Sequence, residues 1–445
     1  MQAYLRGATR ILPELLGAPW LPASAIQALN RRRRMELVRR AFRDVPHYRR
    51  SFSEAGITER DLLEPRTFER LPYLTKEDLR TGDELLSRRA APKSQLLARR
   101  SSGSTGAPVV VYFDPLRELQ RRAQELRMLF SHGVRPWHRQ LVLDAPAHLP
   151  PKPFLVQRLG LWRRIPYPVA LSQDDALQFI AERRAEVIHG VLAGVRMLAL
   201  AAEARGGLGY RPHRIFTRGE VLDAHSRWFV ENALGARLVD FYATEETGII
   251  AWECPTGAGY HVDSDLVHLE VLRADGSPAA AGEMGEVVLT NLFQHTMPII
   301  RYRVGDMAAL SARACECGRN LPLLERLHGR RLDFIVTPSK QLHDPFRVMA
   351  IFESVAAVRW FRVEQQRIDA LDVFLAFDPG AGAVERKATE RELRAGFASL
   401  LGSDVTLRFE EQREFSAQVG EKAPLVRGLG LSLEQLVDDG YQFRI

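Results

Sequence analysis

Val187-Ile188-His189-Gly190-Val191-Leu192-Ala193-Gly194-Val195-Arg196-Met197-Leu198-Ala199-Leu200-Ala201-Ala202 is the stretch that decides the fold. Val187-Ile188-His189 is short, apolar and β-rich, and residues 191–204 then carry apolar side chains at helical spacing. The pattern recurs on both sides. Residues 141–143, 214–217 and 237–241 are β-rich, and residues 173–184 and 223–233 read as helices. Strands alternating with helices predict parallel strands joined by crossover helices over residues 140–242.

Downstream the pattern changes. Residues 267–272, 286–292 and 299–302 are closely spaced strands separated by Gly and Pro turns, which predicts an antiparallel sheet or small barrel attached to the α/β part. Residues 361–365, 371–376 and 405–409, with a helix over 389–400, predict a compact α+β unit. Upstream, residues 31–89 read as helical and irregular, with Thr75 three residues before Asp78 as a capping pair, and a long amphipathic helix follows over 116–132. The expected division is a large domain, residues 1–329, and a small mobile one, residues 330–445.

A chain of 445 residues, 46% apolar, can pack two such domains. No apolar run reaches the ~20 residues of a spanning helix, because Arg196 interrupts the best candidate. Residues 1–20 lack an apolar block with a cleavage site, so the expected location is the cytoplasm. Three cysteines, Cys254, Cys315 and Cys317, exclude a disulfide framework and fit a reducing compartment. The net charge of +7 favours anionic ligands without choosing among nucleotide, coenzyme A, nucleic acid and membrane surface. Arginines 31–34 precede apolar residues at helical spacing, so the solvated face of a helix is the expectation over a nucleic-acid patch.

Chemistry concentrates in five places. Ser101-Ser102-Gly103-Ser104-Thr105-Gly106-Ala107-Pro108 leads into an apolar strand, and hydroxyls and glycines at that density can wrap a polyphosphate. The Lys-Ser/Thr ending of a P-loop is missing, which disfavours P-loop chemistry. In Asp240-Phe241-Tyr242-Ala243-Thr244-Glu245, a carboxylate at a strand end could hold the Mg²⁺ that bridges phosphate oxygens. In Arg301-Tyr302-Arg303-Val304-Gly305-Asp306, an aspartate after a glycine turn could accept from ribose hydroxyls; a surface turn is the plain alternative. Gly329-Arg330-Arg331-Leu332-Asp333 falls at the expected domain boundary, and Gly420-Glu421-Lys422-Ala423-Pro424 sets one lysine in a Gly-flanked loop.

In order and spacing these motifs resemble the adenylate-forming superfamily: residues 101–108 its phosphate loop, Arg218-Gly219-Glu220 its Gly-Glu element, residues 241–245 its Tyr-Gly-x-Thr-Glu element and residues 302–306 its ribose-binding motif. Ala41-Phe42-Arg43-Asp44-Val45-Pro46-His47-Tyr48 and Leu71-Pro72-Tyr73-Leu74-Thr75-Lys76-Glu77-Asp78 are similar to the phenylacetate-CoA ligase family, particularly relatives found near capsule-biosynthesis genes. The resemblance implies an α/β fold of the adenylate-forming type: a large N-terminal domain of α/β subdomains with a β-rich subdomain, and a small α+β C-terminal domain. It implies ATP, Mg²⁺, a carboxylic acid and CoA or a carrier-protein thiol as reactants. Ser101, Ser102, Gly103, Ser104, Thr105, Gly106, Gly219, Glu220, Phe241, Tyr242, Asp306 and Arg330 are then the expected nucleotide contacts. Lys422, Thr244 and Glu245 are the expected catalytic residues, with Glu245 on Mg²⁺ and Lys422 bridging the attacking carboxylate and the α-phosphate.

Cys254, His261, Cys315 and Cys317 match a closed, structural Cys₃His zinc site, and similar Cys/His placement occurs in relatives of this family. The chain departs from the family pattern at Tyr242, where glycine is usual, at Leu332, where the first aspartate of the hinge is usual, and at Glu421, where a small residue is usual. Two other classes compete. One is an adenylate-forming ligase that passes the acyl group to an amine or hydroxyl; the other is a non-catalytic basic protein binding nucleotide or nucleic acid, suggested by residues 31–34 and Leu332. Expected acyl-pocket walls are residues 143–148, 190–195 and 241–247. A homodimer is the default assembly.

Overall fold

Each change of sequence period marks a change of element in the computed structural model. It describes residues 13–80, 82–100, 109–144, 157, 159–168, 173–330, 334–343, 345–353, 355, 357–378, 380–412, 425–429 and 442–443. These fall into two compact units, one drawn from residues 1–138, 160–162 and 239–327, the other from 139–159, 163–238 and 328–445.

In the second unit the expected parallel sheet is present. Its strands run in the order Arg164–Pro168, Gln140–Asp144, Val187–Val191, Arg214–Arg218, all parallel. Helices Gln173–Arg183, Leu192–Ala204 and Ala224–Leu234 supply the crossovers, and Leu141, Ile188, Val195, Ala199, Ile215 and Val230 meet in their core. A Cβ on Gly190 would come within 2.9 Å of Val195 Cγ2 and 3.3 Å of Leu143 Cβ, so glycine is what lets this strand end and the next helix close up. Strand Arg164–Pro168 has no counterpart among the runs read from sequence. Pro166 and Pro168 cannot donate to a ladder, and the strand accordingly lies at the sheet's edge.

The same unit holds the α+β segment. Strands Thr406–Glu411, Ala370–Phe377, Val358–Arg367 and Val426–Arg427 form a sheet in that order, with an antiparallel central pair and parallel outer pairs. Helices Pro345–Glu353 and Ala383–Leu401 contribute Phe352, Leu393 and Phe397 to a core with Phe361, Val363 and Val373. The second helix starts earlier than the expected residue 389.

The first unit contains the antiparallel sheet, ordered Val267–Leu272, Gly285–Asn291, Tyr302–Leu310, Leu323–Arg330, Tyr260–Val262, Gly248–Glu253, Leu238–Thr244. The expected strand over 299–302 is corrected: the strand begins at Tyr302 and continues to Leu310. Arg301 sits at φ 49°, a left-handed conformation that no strand propagates. Its guanidinium holds it there, donating to the Leu71 and Glu69 carbonyls at 2.7 Å and to Glu270 at 3.0 Å.

Helix Ala23–Asp44 corrects a second expectation. Arg31 and Arg32 are exposed, but Arg33 and Arg34 are half-buried. Arg33 donates to the Asp265 carbonyl at 2.6 Å and lies over the Phe293 ring, and Arg34 lies over Phe68. Half of the arginine run therefore packs against Phe68, Phe293 and the Asp265 carbonyl, since long basic side chains bury their stems along apolar surface. Thr75 and Asp78 form the expected capping pair at helix Lys76–Arg80, the Thr75 N–H donating to Asp78 Oδ2 at 2.8 Å and the Asp78 N–H to Thr75 Oγ1 at 3.2 Å.

Helix Pro115–Ser131 is N-capped by Asp114, which accepts from the Arg117 N–H at 2.8 Å. Near its end Arg127, 2% exposed, reaches two buried carboxylates: Nη1 to Asp263 Oδ1 at 2.7 Å, and a two-pronged bond to Asp265 at 2.8 and 2.7 Å. Its Nε donates to the Leu15 carbonyl at 2.8 Å, and Trp252 Nε1 donates to Asp263 Oδ1 at 3.0 Å. The paired aspartates hold the Arg127 guanidinium firmly protonated despite its burial. Among the described residues no helix is long and apolar enough to cross a membrane.

Candidate functional site

Strand Leu238–Thr244 turns back into Gly248–Glu253, and Glu245 lies in the tight connection. The connection is held from inside. Thr247 N–H donates to Thr244 Oγ1 at 3.1 Å, and the Thr247 carbonyl accepts from Arg117 Nη2 at 2.7 Å and Asn291 Nδ2 at 2.9 Å. Gly248, at φ 81°, takes the left-handed turn position. Thr244 is thus an anchor of the turn, its hydroxyl 2.8 Å from that of Thr247.

Glu245 faces cations. Arg99 Nη1 lies 3.6 Å from its carboxylate and Arg99 Nη2 lies 3.2 Å from Glu118, which also meets Arg121 Nε at 3.2 Å. Burial lowers the Arg117 guanidinium to about 9, with Arg121 adding repulsion, and its Nε and Nη1 have no hydrogen-bond partner among the described residues. Burial and the neighbouring Arg99 lower Arg121 too. Arg99, Arg117 and Arg121 crowded beside the two carboxylates of Glu118 and Glu245 suit a place where more negative charge arrives. Sequence inspection missed Arg99, although it stands just before the Ser101 loop.

Asp306 belongs to no turn. It lies within strand Tyr302–Leu310, where Arg303 pairs with Val288 and Met307 with Glu286, so residues 304–306 bulge opposite Val287 alone. Gly305, at φ 85°, permits the bulge. The Tyr242 hydroxyl donates to Asp306 Oδ2 at 2.6 Å across 64 residues of sequence. Phe241 and Tyr242 are both buried.

In the second unit Gly219 sits at φ 89° and Glu220 Oε2 accepts from the Ala193 N–H at 3.0 Å. Helix Leu192–Ala204 has no side-chain cap of its own, so Glu220 satisfies one of its open donors from a distant loop. Buried Arg196 is lowered by desolvation, against the pull of Asp223 and Glu220. Ser101, Ser102, Gly103, Ser104, Thr105, Gly106 and Lys422 lie outside the described residues, as does Leu332. Arg330 is the last residue of strand Leu323–Arg330. Val426 pairs with Val363, and the Val363 N–H donates to the Leu425 carbonyl at 2.8 Å, so the segment following Lys422 is tied to a sheet.

Cys254, His261, Cys315 and Cys317 converge, their ligand atoms all within 4.8 Å of one another. Cys254 Sγ is 3.4 Å from Cys315 Sγ, and His261 Nε2 is 3.2 Å from Cys317 Sγ. Sheet register brings them together: His261 pairs with Trp252 on one side and Leu323 on the other, and the loop with Cys315 and Cys317 leads into that last strand. Gly259 lets the Cys254 turn pass, since a Cβ there would meet the Leu324 carbonyl oxygen at 2.4 Å. A zinc tetrahedron with bonds of ~2.3 Å to sulfur and ~2.0 Å to nitrogen has edges of roughly 3.5–3.8 Å, close to these separations. Burial and nearby Arg319 lower His261 to about 4, which keeps the imidazole neutral as a ligand must be. Burial and the crowded thiols raise Cys315 to about 11.

No family model matches the chain. It is 27% identical over 357 residues to the phenylacetate-coenzyme A ligase of Thermus thermophilus, covering 76% of this chain and 77% of the relative. It is 28% identical over 330 residues to the phenylacetate-coenzyme A ligase of Escherichia coli, covering 70% and 72%. The crystal structure of 2-hydroxyisobutyryl-CoA ligase in its postadenylation state superposes with a TM-score of 0.78 at 19% identity, over 95% of this chain and 93% of that one. The fold is that of the adenylate-forming enzymes. In sequence the chain is similar to the phenylacetate-CoA ligases, as the motifs at residues 41–48 and 71–78 led one to expect.

Proposed function

We propose that the protein is an AMP-forming acid–thiol ligase. A carboxylate oxygen of the substrate attacks the α-phosphorus of ATP, the bond to pyrophosphate breaks, and the acyl-adenylate then yields its acyl carbon to a thiolate of CoA or a carrier protein, releasing AMP. The observation that carries this is the Tyr242–Asp306 bond, which joins two motifs found separately in the sequence at one place in a fold shared with such ligases.

Catalysis of the first step is alignment plus neutralisation of phosphate charge. Backbone and hydroxyl donors of Ser101, Ser102, Gly103, Ser104, Thr105 and Gly106 take the phosphates, Thr244 fixes the turn that presents Glu245, and Asp306 accepts from the ribose. By their likeness to the motifs of such ligases, Phe241, Tyr242, Gly219, Glu220 and Arg330 are assigned to the nucleotide and Lys422 to the α-phosphate. Mg²⁺ held by Glu245 supplies charge neutralisation when bound. The small domain over 330–445 is the element that carries Lys422 in this scheme. The test is pyrophosphate release from ATP and Mg²⁺ across a panel of aromatic, aliphatic and hydroxylated acids before any acceptor is added. Release that depends on one class of acid is expected; nucleotide binding without release from any acid defeats the ligase assignment.

We further infer that the Cys₃His cluster is a structural zinc site in a protein of the reducing cytoplasm. Four soft and borderline ligands leave no open position, so its role is to pin the strands that carry it. Metal analysis should find about one zinc per chain. Cys317→Ser should lose that zinc and lower the unfolding temperature, and acidification should release the metal as the thiolates take up protons. Full metal content in Cys317→Ser counts against the site.

A further inference from the structure

Helix Pro115–Ser131 lays Arg117, Arg121 and Gln124 along the turn that follows Glu245, and two of the three are spent on its backbone. Arg117 Nη2 donates to the Thr247 carbonyl at 2.7 Å and Gln124 Nε2 to the Ile249 carbonyl at 3.2 Å. Arg121 lies between them over Gly248, where a Cβ would stand 3.1 Å from Arg121 Cγ. Among the described residues its one hydrogen bond runs from Nε to Glu118 Oε2 at 3.2 Å and uses neither Nη1 nor Nη2. We propose that Arg121 and Arg99 hold the β- and γ-phosphates of ATP and keep them as pyrophosphate leaves. The proposal rests on the ligase reading above and deepens it by giving the leaving group its own cations.

Arg99 joins two motifs at this place. Strands Leu97–Arg100 and Val110–Phe113 pair antiparallel with Arg100 opposite Val110, so the chain enters and leaves the stretch assigned to the phosphates beside one ladder pair. Arg99 stands on the first of these strands. Its Nη1 lies 3.6 Å from Glu245, the carboxylate assigned to Mg²⁺, and its Nη2 lies 3.2 Å from Glu118 Oε2. Arg121 shares that Glu118 oxygen, and Arg122 takes the other at 3.1 Å while also meeting Glu125 at 3.3 Å. Three guanidinium groups thus divide one carboxylate. With the α-phosphate assigned to Lys422, the β- and γ-phosphates are the anions left for Arg99 and Arg121.

Both cations can be reached: the Arg121 and Arg99 side chains are 21% and 26% exposed, whereas Arg117 is buried. Packing strips much of the water from Arg121, and Arg99 beside it adds repulsion, so a polyanion is held more strongly there than at a solvated arginine. A guanidinium presents paired N–H donors that match two oxygens of a phosphate. Cleavage at the α-phosphorus sends the bonding pair to the bridging oxygen of pyrophosphate, so negative charge builds on the group these cations hold. AMP lacks both phosphates and gains nothing from them.

Titration calorimetry of the full chain in magnesium buffer, with no acid present, compares ATP, inorganic pyrophosphate and AMP. Wild type should bind ATP more tightly than AMP. In Arg121→Gln the affinities for ATP and pyrophosphate should each fall about tenfold, while that for AMP changes less than about twofold. Arg99→Gln should repeat the pattern and decides the matter should Arg121→Gln fail to fold. Equal weakening of all three ligands marks a structural role and overturns the proposal, as does unchanged affinity for ATP in both variants. Wild type that binds ATP no more tightly than AMP overturns it too and leaves the ligase reading standing. Wild type that binds neither nucleotide overturns both.

Discussion

Acid-dependent pyrophosphate release by Lys422→Ala should fall about a thousandfold below wild type. An ammonium ~4 Å from an anionic oxygen contributes about 4 kcal/mol at an effective dielectric near 20, and each ~1.4 kcal/mol is a factor of ten in rate. The interaction grows as charge accumulates around the α-phosphorus, so the loss should appear in kcat more than in the KM for ATP. Lys422→Arg should recover little, because a planar fork cannot take the place of a compact point charge on one oxygen pair. A loss below tenfold would remove Lys422 from the reaction. The neighbouring Glu421 sharpens the comparison: Glu421→Ala removes an anion beside the cation and should leave the rate within a few-fold of wild type.

The largest effect on stability is expected at Arg127. Arg127→Met leaves Asp263 and Asp265, both buried, without their cation, and breaking a buried pair from one side costs about 3–5 kcal/mol. Urea unfolding at pH 7 should show the whole loss. The sign with pH follows from Asp263, whose carboxyl is already held above its ordinary value by burial, against the pull of Arg127, and rises further once the guanidinium is gone. The added penalty builds as pH rises above the unfolded value and is relieved as pH falls below it. The gap between wild type and Arg127→Met should therefore narrow toward pH 4. A gap of equal size at both pH values would assign the loss to packing and the Leu15 carbonyl bond rather than to charge.

Local order was legible wherever a few neighbouring residues decide it. The run at 187–202 reads as strand then helix because β-branched residues and a helical apolar face are local facts, and Val187–Val191 and Leu192–Ala204 are those elements. The Thr75–Asp78 cap needs only a separation of three residues. The motifs that resemble adenylate-forming enzymes are likewise short strings, and the fold they implied is the fold observed.

The misreadings share a physical cause. Arg33 and Arg34 looked solvated because charge is a property of the residue, whereas burial depends on what packs against it; here that is Phe293 and Phe68. Arg301 looked like part of a strand because its neighbours are apolar and β-branched. Its left-handed backbone is held by carbonyls at Glu69 and Leu71, some 230 residues away. Asp306 looked like a turn residue because Gly305 precedes it, and only the register between two strands makes the place a bulge.

Sequence alone thus determined most of the elements, the α/β and antiparallel stretches, the order of the motifs and the chemical kinds of side chain available: a run of hydroxyls and glycines, a carboxylate at a strand end, three thiols and an imidazole. Tertiary structure alone decided which of those side chains meet. The Tyr242 phenol on Asp306, Arg99 beside Glu245, Glu220 on the helix at Ala193 and His261 among three thiols each join residues that lie far apart in the chain. Backbone preferences act over a few residues, while such meetings are set by sheet register and by the cost of burying a polar group unpaired, which the whole packed fold must satisfy at once.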